Sequence, residues 1–180
     1  MTDPIFPRMV SNAFTFLGLA TSDFVNRPDQ AAIRVYTAIE LILKARLLHH
    51  DWRLVPTKAV SRQLFEDGDF NSVTFGRACE RLHDDVHDPV PPSLKARFDA
   101  LRIRRNVIVH FAPPENTDLL THRANEKETR RICREAWSGL HDLMRSAWKP
   151  VFGPWETELE KIEVIMERLH KVAALSLIHI

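Results

Sequence analysis

Apolar residues recur at helical spacing along nearly the whole chain, and strand-like alternation is rare. Residues 7–24 read as a first helix, because Pro7 suits a first turn and Asn26-Arg27-Pro28 breaks what precedes it. Residues 28–50 read as the strongest helix. Its centre, 35–48, is apolar almost all round, which predicts a central buried helix. Glu40 and Lys44 interrupt it as an i,i+4 pair in the favourable order. Residues 52–68 form a connection with a short helix near 58–65. Asn71 or Ser72 is placed to cap a helix that runs to about His83.

The second half alternates in the same way. Residues 84–92 are acidic and proline-bearing, which predicts an exposed loop. Ser93 then caps a helix over 94–111, and Pro113-Pro114-Glu-Asn-Thr is a loop. A long amphipathic helix is expected over about 125–148, ended by the proline-bearing segment 149–154. A charged helix with an apolar stripe (Leu159, Ile162, Ile165, Met166, Leu169) follows to about Ala174. The pattern is all-α, divided as a helical domain over 1–150 and a C-terminal helix over 151–180. The apolar end Leu-Ser-Leu-Ile-His-Ile180 has two readings, a packed tail or translated adapter sequence. The second would make 151–180 the truncated start of a further segment.

Composition narrows the function classes without choosing one. With 44% hydrophobic and 27% charged residues in 180, the chain can bury a core. A net charge of +1 is too low for a general nucleic-acid coat, so any nucleic-acid contact needs a local patch. Cys79 and Cys133 lack metal-ligand spacing and read as reduced, partly buried thiols of a cytoplasmic protein. The N-terminus has no secretion-signal pattern, and no apolar run approaches the ~20 residues of a membrane span.

The helix over 94–111 carries the densest chemistry. On a wheel at about 100° per residue, Leu94, Phe98, Leu101 and Ile108 form one apolar arc, and Ile103, Val107 and Phe111 a second. Arg102, Asn106 and His110 form a polar wedge between them. Arg105 lies on the edge of the first arc, where a charge needs a partner or a ligand. Lys95, Arg97, Arg102 and Arg104 make the helix locally basic with Asp99 opposing, which fits a patch that tracks an RNA backbone or, equally, a solvated face.

Arg105-Asn106-x3-His110 at the end of a late helix, with Glu40-Leu-Ile-Leu-Lys-Ala45 in an earlier apolar helix, resembles the HEPN superfamily of helical ribonucleases and RNA-binding modules. The resemblance covers roughly 30–148. It implies a HEPN-like helical bundle, here with an additional C-terminal helix, and commonly a homodimer whose two motifs meet. It also implies RNA as substrate or ligand, no cofactor and no metal, and a setting in toxin–antitoxin, abortive-infection or other host-defence systems. An antitoxin or activator protein is then an expected partner, and a membrane is not.

Metal-free RNA cleavage uses the neighbouring 2′-hydroxyl as nucleophile. His110 can move the proton near neutral pH. Arg105 can clamp the scissile phosphate through its planar fork, and Asn106 can orient His110 or donate to the phosphate. The alternative is a non-catalytic dimerisation or RNA-binding adaptor in which the motif is structural. A weaker rival is His83-Asp84-Asp85-Val-His87-Asp88, whose ion would be zinc or manganese, and His49-His50-Asp51 is a lesser one. Prolines follow the first cluster at once, and neither has a full ligand set. Trp137 and Trp148 read as core rather than as base-stacking platforms. Arg123, Lys127, Arg130, Arg131 and Arg134, interleaved with Glu126, Glu128 and Glu135, read as a salt-bridged surface.

Overall fold

The computed structural model describes residues 3–111 and 119–175, which fold into an all-helical bundle. In chain order the helices are α1 (Ile5–Asp23), α2 (Pro28–His50), α3 (Arg62–Asp67), α4 (Phe75–Asp84), α5 (Pro92–Phe111), α6 (Leu119–Arg145), α7 (Lys149–Phe152) and α8 (Glu156–Leu175). Short 3-10 turns, Trp52–Leu54 and Gly153–Trp155, precede α3 and α8. The loop expected at Pro113-Pro114 and the last residues, 176–180, lie outside the described residues.

The hub is α2. It touches α1, α4, α5 and α6, and Ala32, Val35, Ala38, Ile39, Ile42, Leu43 and Leu47 are all buried. Each fully buried leucine or isoleucine contributes roughly 1.5–3 kcal/mol relative to exposure, so a helix apolar on every side is stable only where neighbours cover every side. Glu40 and Lys44 form no ion pair here. The Glu40 carboxylate instead lies 3.4 Å from the Tyr36 hydroxyl, one helical turn back on the same face.

Buried ionic contacts lock the bundle. Asp23, 2% exposed, ends α1 between Arg27 and Arg34. The Arg34 Nε–Asp23 Oδ2 approach is 3.0 Å, an ion pair whose angles fall short of a hydrogen bond. Arg130 of α6 donates to the carbonyls of Phe24 and Val25 at 3.3 and 2.7 Å, satisfying acceptors that the end of α1 leaves open. Arg81 bonds the carbonyls of Leu54 and Pro56 and so holds the connection between α2 and α3 against α4. Trp137 Nε1 donates to Glu163 at 2.8 Å and ties α8 to α6. Arg131 pairs with Glu128 and Glu135, the expected salt-bridged surface.

Several expectations are corrected. Thr74, not Asn71 or Ser72, caps α4 by accepting from Arg77 N at 3.4 Å. The backbone of Asn71 and Ser72 pairs instead with Thr57 and Pro56, before the helix begins. Helix α5 begins at Pro92, so Ser93 lies inside it. Helix α6 begins earlier than expected. The 84–92 loop is only partly exposed: Val86 and Val90 are buried, and Asp88 pairs with Arg46 of α2 at 2.7 Å. Ile165 points to solvent, while Leu159, Ile162 and Met166 are buried. Both cysteines are free and buried. Burial pushes the Cys79 thiol up to about 11 and that of Cys133 to about 12. No described helix is long and apolar enough to cross a membrane.

Candidate functional site

Helix α5 changes character along its length. Leu94, Phe98 and Leu101 are buried against the bundle. Gly139 of α6 allows this close approach, since a Cβ there would sit 2.2 Å from Leu94 Cδ1. Beyond Leu101 the second apolar arc turns outward, with Ile103 57% and Phe111 78% exposed. The motif sits on this outward-turning half.

Arg105 is half-buried. Its Nη1 donates to Asn106 Oδ1 at 3.0 Å, and its guanidinium carbon lies 5.8 Å from the centre of the Tyr36 ring. That is within the range of a cation–π contact. Tyr36 is buried. Burial first, and the Glu40 charge second, push its phenol well above the usual tyrosine range, so it stays a neutral hydroxyl. Arg105 therefore has the partner that its position on an apolar arc demanded, and its fork is turned toward the Asn106 stripe.

Asn106 and His110 are four residues apart, neighbours on one face about 5–6 Å apart at Cβ. His110 is exposed. Its one ring contact is the adjacent Phe111, at 6.4 Å, and it has no hydrogen-bond or ion-pair partner among the described residues. A half-buried cation held by an amide, with an unengaged imidazole about one and a half turns along, can bind an anion and exchange a proton with it.

The four flanking cations divide into two stripes about 180° apart. Lys95 and Arg102 share Asp99 at 2.8 and 3.0 Å. Burial alone would raise the Asp99 carboxyl, but hydrogen bonds from Lys95 and Arg102 together hold it below the usual range. Arg97 and Arg104 lie on the other side. Arg97 lines a groove with Arg134, Trp137 and His170. Arg104, only 15% exposed, donates to Thr129 Oγ1 at 2.8 Å and lies 3.5 Å from Asp29. The patch beside the motif is thus Lys95 and Arg102, partly neutralised.

The rival constellations are dispersed. Among the described residues no group of three or more His, Cys, Asp or Glu side chains could hold a metal ion. His83 bonds Asp84 at 2.6 Å, Asp88 belongs to Arg46, and His87 sits at a φ of 56° in the turn after α4. Asp51 is taken by Arg53, and the His49 ring packs edge-on against Phe6. Trp137 and Trp148 are core residues, as expected.

Tyr36 is the site residue that sequence reasoning missed. It is the only tyrosine in the chain, and it stands one turn before Glu40. That signal was available, but its link to Arg105 depends on how α5 crosses α2.

No family model, no curated protein and no solved structure matches the chain.

Proposed function

We propose that this chain is a metal-independent RNA endonuclease that cleaves through the ribose 2′-hydroxyl, with Arg105, Asn106 and His110 as its catalytic group. The observation that carries the reading is the contrast within the motif. Arg105 is seated on Tyr36 and Asn106, whereas His110 is exposed and unengaged. A purely structural network would engage the histidine.

In the proposed reaction the 2′-oxygen forms a bond to phosphorus and the bond from phosphorus to the 5′-oxygen breaks. A base takes the 2′-hydroxyl proton and an acid protonates the departing 5′-oxygen. Arg105 stabilises the charge on the phosphorane, and Asn106 holds the fork in line. The products are a 2′,3′-cyclic phosphate and a 5′-hydroxyl. A single histidine cannot do both proton transfers at once, and a homodimer supplies the second. Ile103, Val107 and Phe111 form an apolar arc beside His110, with Ile103 and Phe111 exposed, which favours a second copy docking there. The resemblance to HEPN proteins is what suggests a toxin or host-defence role in the cytoplasm, with an antitoxin or activator as partner.

The same exposed apolar surface favours one second reading, a docking adaptor without catalysis. Cleavage of a labelled RNA pool in EDTA separates the two. Wild type should leave cyclic-phosphate ends, and Arg105→Ala and His110→Ala should both abolish cleavage. His110→Ala should change stability by no more than about 0.5 kcal/mol, because its side chain is exposed. No cleavage by folded wild type would favour the adaptor, and cleavage surviving both substitutions would reject this site.

A further inference from the structure

A groove of about 570 Å³ runs between α5, α6 and α8. Two arginines line it, Arg97 of α5 and Arg134 of α6, and both are short of partners. Arg97 is exposed and has no hydrogen-bond or ion-pair partner among the described residues. Arg134 is half-buried, and its one partner is the His170 ring, whose Nε2 lies 2.7 Å from Arg134 Nη1. Burial first, and Arg134 second, hold His170 below its ordinary value of 6.5, so near pH 7 the ring is a neutral acceptor. A guanidinium is a fork of several donors. One imidazole is all that these two forks share.

The free donors meet at one wall. Ser138 stands one turn after Arg134 on the same face of α6, about 5–6 Å away at Cβ. Its hydroxyl has no hydrogen-bond partner among the described residues. Arg97 reaches across to the same place: its Nη1 is 3.7 Å from where a Cβ on Gly139, the residue after Ser138, would stand.

Three carboxylates also line the groove, and none pairs with either arginine. Glu135 is held by Arg131 at 2.7 Å. Glu163 accepts the Trp137 indole N–H at 2.8 Å and shares the α8 wall with Glu167. Trp137 and the buried Met166 add apolar surface. With Glu135 neutralised, two guanidiniums on the α5–α6 wall oppose two carboxylates on the α8 wall. The groove is neutral as a whole and polarised across its width. An anion that filled it would be repelled by α8. A single tetrahedral oxyanion at the α5–α6 wall is favoured, because two forks and a hydroxyl can grip it from two helices. The rest of its ligand then lies toward carboxylate oxygens, which accept from hydroxyl or amino groups.

This wall is not the motif. Arg97 and Asn106 lie about 180° apart on α5, so a phosphate held by Arg97 is not the one that Arg105 would clamp.

We propose that the α5–α6 wall of this groove binds the phosphate of a phosphate ester, gripped by Arg97, Arg134 and Ser138, as an anion site separate from the motif. The ester is a small molecule or a stretch of nucleic-acid backbone. The site does not rest on the RNA-cleavage reading.

NMR titration of the full chain with inorganic phosphate, at constant ionic strength in chloride, tests it. Phosphate should shift the backbone amide signals of Ser138 and Gly139 and the indole signal of Trp137 to saturation. Arg97→Gln, a change at an exposed and unpaired side chain that should leave the fold intact, should weaken binding about ten-fold or more, the scale of a charge-assisted hydrogen bond. Arg105→Ala should leave the affinity unchanged. Shifts that chloride alone reproduces, a lack of saturation, or an affinity that Arg97→Gln does not lower each overturn the proposal, and a loss confined to Arg105→Ala would assign the anion to the motif. Two further probes name the source. Adenosine 5′-monophosphate carries a phosphate monoester. A short DNA oligonucleotide without terminal phosphates carries only diesters, and it lacks the 2′-hydroxyl that cleavage would need. Tighter saturation of the same signals by the first identifies a small phosphate ester, and by the second a nucleic-acid backbone. Weaker binding of both than of inorganic phosphate overturns the site as one for phosphate esters.

Discussion

At the scale of residues, the telling contrast is between Arg104 and Arg105. They are adjacent in sequence and 100° apart on the helix. One faces α6 and bonds Thr129, and the other rests on Tyr36. Tyr36 offers Arg105 an aromatic face and not a charge, so the guanidinium keeps its full positive charge for a ligand. Replacing the ring should matter more than replacing the hydroxyl. Tyr36→Phe should leave RNA cleavage within about two-fold of wild type. Tyr36→Leu removes the cation–π contact, worth roughly 0.5–1 kcal/mol at a partly exposed site, and should lower cleavage several-fold with little change in substrate binding. Steady-state rates for the two variants check this, and equal losses in both would mean that the hydroxyl, through Glu40, is the part that counts.

At the scale of elements, α1 and α2 are joined by a short turn whose geometry depends on Asp23. That carboxylate is buried between Arg27 and Arg34. Asp23→Ala would leave the Arg34 guanidinium, mostly covered, without its counter-charge. Losing such a partner should cost about 2 kcal/mol or more, read as a lower urea midpoint with an unchanged slope. The other element-level prediction concerns α5. Its outward half exposes Ile103 and Phe111, apolar surface left largely uncovered among the described residues. For the proposed homodimer, Phe111→Asp should shift the protein toward monomer in light scattering while leaving helical content intact, and cleavage should fall with dimerisation. A wild-type monomer at all concentrations would argue that the two proton transfers are not shared between copies.

At the scale of the whole molecule, titratable groups predict how stability depends on pH. Burial holds His49 below its ordinary value of 6.5, helped by Arg46 and His50, and burial with Arg134 does the same for His170. Below pH 6.5 the unfolded chain therefore binds more protons than the folded one, and stability declines. A second set acts at lower pH. Arg62 bonds Asp3 and Arg53 bonds Asp51, holding both carboxyls below 3.8, and Asp99 is held low by Lys95 and Arg102. Their contribution is present above 3.8 and is lost as pH falls toward their lowered values. Thermal midpoints should thus be level between about pH 7 and 8, decline below 6.5, and fall again below 4. His49→Gln with His170→Gln should flatten the first decline, and a flat wild-type profile between pH 7.5 and 5 would show that these histidines do not differ between the two states.

The sequence by itself determined the helical class and the extent of α2, because an apolar run of helical length between a proline and a histidine pair carries its own start and stop signals. It also singled out Arg105, Asn106 and His110, since their spacing is set by the helix that carries them. Other features stayed hidden for a common reason. Asn71, Ser72 and Thr74 are all competent caps, and the choice fell to Thr74 because backbone pairing of 71 and 72 with 57 and 56 keeps those residues extended and starts the helix at Phe75. Which cations flank the motif, which arc of α5 stays exposed, and which aromatic ring lies beneath Arg105 depend on how α5 crosses α2 and α6. Those are contacts between residues far apart in the chain, and side-chain chemistry read one position at a time carries no information about them.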